Sequence, residues 1–254
     1  MIKLSSVIIT FNEERNIGRC IESLAGIADE IVVVDSGSTD DTEAICRSFG
    51  VKFIQHTFEG YGEQKNFAVS HCSFEYILSL DADEALSTEL KESISALKNK
   101  WDKDGYSFNR LTNYCGKWIH HCGWYPDSKL RLFKKNKGKW SESKLHEKLI
   151  LNNPENCEFI KGDLLHFSYY SIEEHIKQVN KFTEMTSKED FNEGKRSSVL
   201  IILFAPVIRF IRDYILLLGI LDGYYGFIIC RISAHASFIK YAKLYELQKT
   251  KNKS

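Results

Sequence analysis

The chain has 254 residues, 43% of them hydrophobic and 27% charged, with acidic and basic side chains in equal number. That size admits one large domain or a domain with an appendage, and the apolar fraction excludes a chain without a core. The zero formal charge is unevenly spread: from Lys195 onward ten Lys/Arg face three Asp/Glu, a basic tail suited to phosphate-rich surroundings.

Met1-Ile2-Lys3 leads directly into Leu4–Thr10, an apolar run of strand length, with no signal-peptide pattern. The seven cysteines are scattered and odd in number, so free thiols in a reducing cytosol are expected. Asn12 to Leu24 reads as a helix with Ile17, Cys20, Ile21 and Leu24 on one face. Ile31–Asp35 is a second buried strand, rich in β-branched residues. Ser36-Gly37-Ser38 makes a turn, and Asp40 with Glu43 three residues on forms a capping-box pattern before the next helix. Val51–Gln55 is a third strand, Glu63–Cys72 a helix and Tyr76–Leu80 a fourth strand.

That fourth strand ends in Asp81-Ala82-Asp83-Glu84. Side chains two apart on an extended backbone project the same way, so Asp81 and Asp83 share a side. Two hard oxygen donors there suit a divalent cation that keeps positions open for phosphates. The competing reading is a pair of capping acids, because Ser87 and Glu89 open a helix just beyond. Strands alternating with helices imply a mainly parallel sheet covered on both faces, with ligands beyond the carboxyl ends of its strands. Thr10-Phe11-Asn12, Asp35-Ser36-Gly37 and Asp81-Ala82-Asp83 all fall at such ends and converge on one rim. No Gly-x-Gly-x-x-Gly follows the first strand and no P-loop pattern occurs, which disfavours dinucleotide redox chemistry and P-loop hydrolysis. Phosphates would instead be held by a metal on Asp83. Asp35 is placed to accept from a base or ribose, or else it is a turn acid.

Val7-Ile8-Ile9-Thr10-Phe11-Asn12-Glu13-Glu14, Val33–Asp40, Gln64-Lys65-Asn66 and Leu80-Asp81-Ala82-Asp83 together resemble the family 2 inverting glycosyltransferases over roughly residues 4–150. Within that family the chain looks most like the bacterial β-1,4-glucosyltransferases of the lipopolysaccharide core, through Lys129–Phe133, Leu145-His146-Glu147 and the glycine-punctuated C-terminal segment. The resemblance implies an α/β fold of the GT-A nucleotide-diphospho-sugar transferase type with a C-terminal helical appendage. It implies that Thr10, Asn12 and Glu14 line the nucleotide pocket, that Asp35 contacts uracil or ribose, and that Lys65 and Asn66 close over the nucleotide. Asp81 would sit near the ribose and share the metal side with Asp83, which would coordinate Mg2+ or Mn2+ bridging the diphosphate.

Inversion needs a base to take the proton of the acceptor hydroxyl. The Glu-Asp pair that often serves in this family is missing here. Glu147, beside His146, and Asp127, after Trp124-Tyr125-Pro126, compete for the role. His146 is expected to orient or tune the base. Lys129 and Arg131 are candidate contacts for diphosphate or an anionic acceptor, or members of a solvated strand face. The aromatics between Trp101 and Trp140 suit stacking on sugar rings or plain packing. Cys115, His120, His121 and Cys122 match no standard zinc spacing, and neither Cys157 nor His166 completes one.

Ser197–Ile208, Tyr214–Leu221 and Gly223–Cys230 are apolar blocks too short to span a bilayer and separated by charges. Such helices lie in the membrane interface or pack as a hairpin. The expected division is a catalytic part over 1–168 and a helical, membrane-associating part over 169–254. The expected activity is metal-dependent transfer of a sugar, glucose first, from a UDP-sugar to a glycolipid at the inner face of the cytoplasmic membrane. Alternatives are transfer to polyprenyl phosphate, nucleotidyl transfer, or a non-catalytic nucleotide-sugar or glycolipid-binding protein.

Overall fold

The computed structural model describes residues 1–142 and 147–251. Its first third alternates strand and helix: β1 (Leu4–Thr10), α1 (Ile17–Ser23), β2 (Glu30–Asp35), α2 (Thr42–Ser48), β3 (Lys52–Gln55), α3 (Tyr61–Ser70) and β4 (Tyr76–Asp81). These four strands pair in parallel in the order β3-β2-β1-β4. In register, Thr10 lies opposite Asp35 and Ile9 opposite Asp81, so three strand ends meet side by side.

Period-two alternation decides which helix each strand residue meets. Leu4, Ile8, Val33, Leu78 and Leu80 enter one core with Ile17 and Cys20 of α1 and Leu24 just after it. Val7, Val32, Val34 and Ile77 enter the opposite core with Ala68 and Val69 of α3. Both faces are therefore dry, and the strands read as continuous apolar runs for that reason.

The chain continues through β5 (Glu84–Leu86), α4 (Thr88–Leu97), β6 (Gly105–Tyr114), β7 (Lys117–Ile119), β8 (Ser128–Lys134), β9 (Gly138–Trp140), β10 (Leu149–Leu151) and β11 (Cys157–Tyr169). Beyond β4 the sheet runs β8-β6-β11-β5, with antiparallel pairing of β8 to β4, of β6 to β8 and of β11 to β5. The sheet is thus mixed, parallel on one side of β4 and largely antiparallel on the other. β9 and β10 form a separate ribbon. Gly62 lets that region approach α3: a Cβ there would stand 1.9 Å from the Ser141 carbonyl oxygen. Three helices follow, α5 (Ile172–Asn192), α6 (Val199–Ile211) and α7 (Gly223–Lys251), with a π turn at Arg212–Leu216 and a 3-10 turn at Gly219–Asp222.

Contacts divide the chain into two compact units, residues 1–111 with 127–167, and 112–126 with 168–254. The division drawn from sequence at 168 kept 112–126 with the catalytic part; in the fold those residues cluster with the C-terminal helices. Their aromatics make the second unit's core. Buried Tyr114 meets Trp124, Tyr169 and Tyr225 edge-on, and its hydroxyl lies 3.1 Å from His175 Nδ1. Burial pushes the His175 imidazole down to about 4. Asp222, itself buried, accepts from the backbone N–H groups of His120 and His121, which engages that His/Cys stretch in packing.

Candidate active site

The first rim is made of loops that hold one another. Asp35 is fully buried at the end of β2 and accepts from the backbone N–H groups of Gly37 and Ser38 and from the Ser38 hydroxyl. In this geometry it shapes its own turn, and a base would reach it only if Ser38 swung away. Asn12, at φ 55, donates its N–H to Ser38 Oγ and accepts from Thr39 N–H through its side chain. Glu14 accepts from the Asp41 N–H. The residues expected to line a nucleotide pocket therefore tie together the loops that follow β1 and β2. Thr10 is buried, and its hydroxyl has no partner among the described residues.

The end of β4 carries a dense charge network. Lys65, 1% exposed, stands 2.9 Å from Asp81 Oδ1 and 3.0 Å from Glu147 Oε1, with its ammonium over the Trp140 ring. Arg131 donates to Asp81 Oδ2 at 2.7 Å and to Glu84 Oε1 at 3.2 Å. Glu84 is sealed from solvent and also accepts from the Asp81 N–H. Burial would raise the Asp81 carboxyl, but the Arg131 and Lys65 charges overcome it and hold it well below the usual carboxylate range. Both Asp81 oxygens face cations, so Asp81 is not free to take a metal in this arrangement. Lys129, a candidate contact for diphosphate or an anionic acceptor or else part of a solvated strand face, pairs with Asp127 at 2.8 Å. Asn66 clips the backbone of Trp140, donating to its carbonyl and accepting from its N–H.

Asp83 faces a partner the sequence did not nominate. Its Oδ2 lies 3.1 Å from His166 Nε2. The antiparallel pairing of β11 with β5 sets His166 opposite Glu84, and the Phe167 N–H donates to the Asp83 carbonyl. No spacing rule joins residues so far apart in sequence; a histidine within a long strand was the only cue. Among the described residues no group of three or more His, Cys, Asp or Glu is placed to hold a metal. One carboxylate oxygen and one imidazole nitrogen nevertheless form a donor pair of a kind that fits a divalent ion such as Mn2+.

Glu13, which the sequence reading passed over for Glu14, adds to this negative field. Burial pushes its carboxyl up to about 7; a hydrogen bond from Asn16 opposes the shift, and Asp83, Asp40 and Asp81 reinforce it. A folded value above the ordinary 4.5 means the stabilisation is full below about 4.5 and is lost as pH rises through about 7. Glu13→Gln is therefore expected to be more stable than the parent by about 1–2 kcal/mol at pH 8, after discounting for solvent screening, and equal to it at pH 4.5. Urea unfolding in EDTA at the two pH values checks this.

Of the two candidate bases, Asp127 is gripped by Arg110, at 3.0 Å, and by Lys129. Glu147 has the Lys65 contact and is 20% exposed. His146 lies outside the described residues. Beside this network three buried N–H groups have no partner among the described residues: Arg131 Nε and Nη1 and Trp140 Nε1. Each unmade bond at a buried group costs about 1–3 kcal/mol.

The model of the family described as Glycosyl transferase family 2 matches residues 5–146. A Rhizobium meliloti protein named lipopolysaccharide core biosynthesis glycosyltransferase LpsC is 34% identical, covering 96% of this chain and 93% of its own. An uncharacterized glycosyltransferase of Rickettsia typhi is 32% identical, over 97% of this chain and 88% of its own. Among solved structures, S. aureus TarS 1-349 aligns over 98% of this chain and 92% of its own, with 15% identity and a TM-score of 0.47. Glucosyl-3-phosphoglycerate synthase from Mycobacterium tuberculosis, in complex with Mn2+, UDP and glucosyl-3-phosphoglycerate, aligns over 44% of each chain, with 23% identity and a TM-score of 0.36.

Proposed function

The chain belongs to glycosyl transferase family 2, and from that premise we propose that it moves a hexose, glucose first among candidates, from a UDP-sugar to a hydroxyl of a lipopolysaccharide-type glycolipid with inversion. Its mixed sheet flanked by helices is GT-A-like. The observation that carries the reading is the Asp83–His166 pair at the rim where β1, β2 and β4 end. The likeness to a relative named for lipopolysaccharide core biosynthesis supports the acceptor class.

In this reading Asp83 and His166 would hold Mn2+ or Mg2+, which would supply Lewis acidity toward the departing diphosphate. Lys65 and Arg131 stay locked on Asp81 and keep the rim rigid. Thr10, Asn12 and Glu14 frame the nucleotide, with Asp35 fixing the turn beneath it. Glu147 is the base: it carries one cation where Asp127 carries two, so its lone pair is the more available. The reaction is placed at the inner face of the cytoplasmic membrane, where such an acceptor would be assembled.

The test is release of UDP from a panel of UDP-sugars with Mn2+, with and without a lipopolysaccharide-precursor extract. Acceptor-dependent release is expected, reduced about 100-fold or more in Glu147→Gln and less in Asp127→Asn. The reverse ranking would exchange the two roles. Unchanged turnover in both would favour a polyprenyl-phosphate acceptor. Absence of UDP binding would leave the whole reading without support.

A further inference from the structure

In the second unit, α6 is turned inside out. Its outward positions Leu200, Leu203, Phe204, Val207, Ile208 and Ile211 recur at helical spacing and are 49–66% exposed, and none of its residues is buried. The apolar surface continues past the helix through the reversal, where Leu216 and Leu221 are 70% and 63% exposed. In all, sixteen large apolar side chains between Val199 and Phe227 are more than a third exposed. Soluble monomers rarely expose contiguous apolar patches beyond a few hundred Å2.

The reversal beneath this surface is firmly built. Asp213, 1% exposed, accepts from Arg209 and Arg212, and the Cβ position of Gly219 lies 2.7 Å from Cys230 Sγ and 2.8 Å from the Asp213 carbonyl. The apolar tip is therefore held outward by packed polar groups behind it. No described helix is long and apolar enough to cross a membrane. Thirteen residues of α6 reach only about 20 Å, short of a hydrocarbon core of about 30 Å.

We propose that α6 and the 212–221 reversal form an in-plane anchor that buries its apolar face in the interface of an anionic lipid bilayer. Charge selects that occupant over a second copy. Lys195 is paired with Asp190 and Glu193, but between Arg196 and Leu221 three Arg stand against one acid, so two such faces would bring like charges together, while anionic headgroups answer them. Arg209 and Arg212 remain 42% and 48% exposed while paired to Asp213, within reach of headgroups. The anchor's purpose, to hold the enzyme in the layer that contains its acceptor, rests on the glycolipid reading above; its geometry does not.

Co-sedimentation of the full chain with vesicles tests it, comparing phosphatidylcholine alone with phosphatidylcholine containing a third phosphatidylglycerol. Tight binding to the anionic vesicles is expected, weakened about tenfold or more by Phe204→Glu with Leu216→Glu. UDP–Mn2+ thermal stabilisation of that variant should be unchanged, which shows it is folded. A tryptophan placed by Leu216→Trp should shift its emission to the blue on adding anionic vesicles. Absence of binding, or binding indifferent to both substitutions, overturns the anchor. So does light scattering that shows a dimer which the same substitutions dissolve, because the face then belongs to a second copy. Failure of UDP to bind the parent chain would strike the transferase reading and leave the vesicle result intact.

Discussion

Asp83→Ala is expected to abolish the Mn2+-dependent stabilisation of the chain by UDP and to lower sugar transfer about 1000-fold. The expectation follows from the donor set at the rim. Asp81 has both oxygens committed to Lys65 and Arg131, which leaves Asp83, with His166 at 3.1 Å, as the carboxylate able to face a cation. Loss of one of two protein donors removes most of the charge that would hold a divalent ion against competing water, and several kcal/mol of transition-state stabilisation with it. His166→Ala should act in the same direction and less severely, raising the Mn2+ concentration for half-maximal UDP binding about tenfold, because a water can replace a neutral nitrogen more readily than a carboxylate. Asp81→Asn distinguishes the two aspartates: it should cost folding stability, by freeing two buried cations, while leaving some metal-dependent UDP binding. Thermal shift with UDP, with and without Mn2+, reads all three. Equal UDP response in Asp83→Ala and the parent would end the metal assignment.

Arg131→Met should be the most destabilising single change in the catalytic unit, by about 3–5 kcal/mol near neutral pH. The side chain is 6% exposed and lies between Asp81 and Glu84, the latter wholly sealed from solvent. Without the guanidinium, the cations left among the described residues are Arg110, 3.6 Å from Glu84, and Lys65 beside Asp81. A buried carboxylate stripped of its cation is costly because the interior cannot replace the lost hydration. The pH dependence gives the mechanism a signature. In the parent the Asp81 carboxyl is held below its ordinary 3.8, so its stabilisation is present above that value and is lost only as pH falls well beneath it. In Arg131→Met the stranded carboxylates should take up protons more readily, so the deficit should shrink between pH 8 and pH 5. Urea unfolding at both values measures this. A deficit of the same size at both would mean that lost packing against Trp140, and not lost charge, is the cause.

The sequence by itself determined the parallel half of the fold and the rim. β-branched runs at Val7–Ile9 and Val32–Val34 must be buried on both faces, which requires helices above and below. Strands that end in Thr10, Asp35 and Asp81 must then present polar groups together. Those are local facts, set by side-chain type and a period of two. They also set the family motifs, which are short and continuous. The short apolar blocks after Ser197 were legible for the same reason, although which of their faces stays exposed was not.

What each polar group touches was decided only in three dimensions. Nothing local says that Lys65 will face Asp81 and Glu147, that Arg131 will tie Asp81 to Glu84, or that His166 will meet Asp83. Apart from Lys65 and Asp81, these pairs join residues dozens of positions apart, Arg131 and His166 being carried by the antiparallel strands β8 and β11, whose order no alternation pattern announces. Asp35 shows the same limit at short range. Its place at a strand end was readable, but whether its carboxylate faces a ligand or the N–H groups of Gly37 and Ser38 depends on backbone angles within the turn. Burial can be read from hydrophobic periodicity because it is a property of one residue and its solvent. Pairing is a property of two residues and a topology, so it waits for the fold.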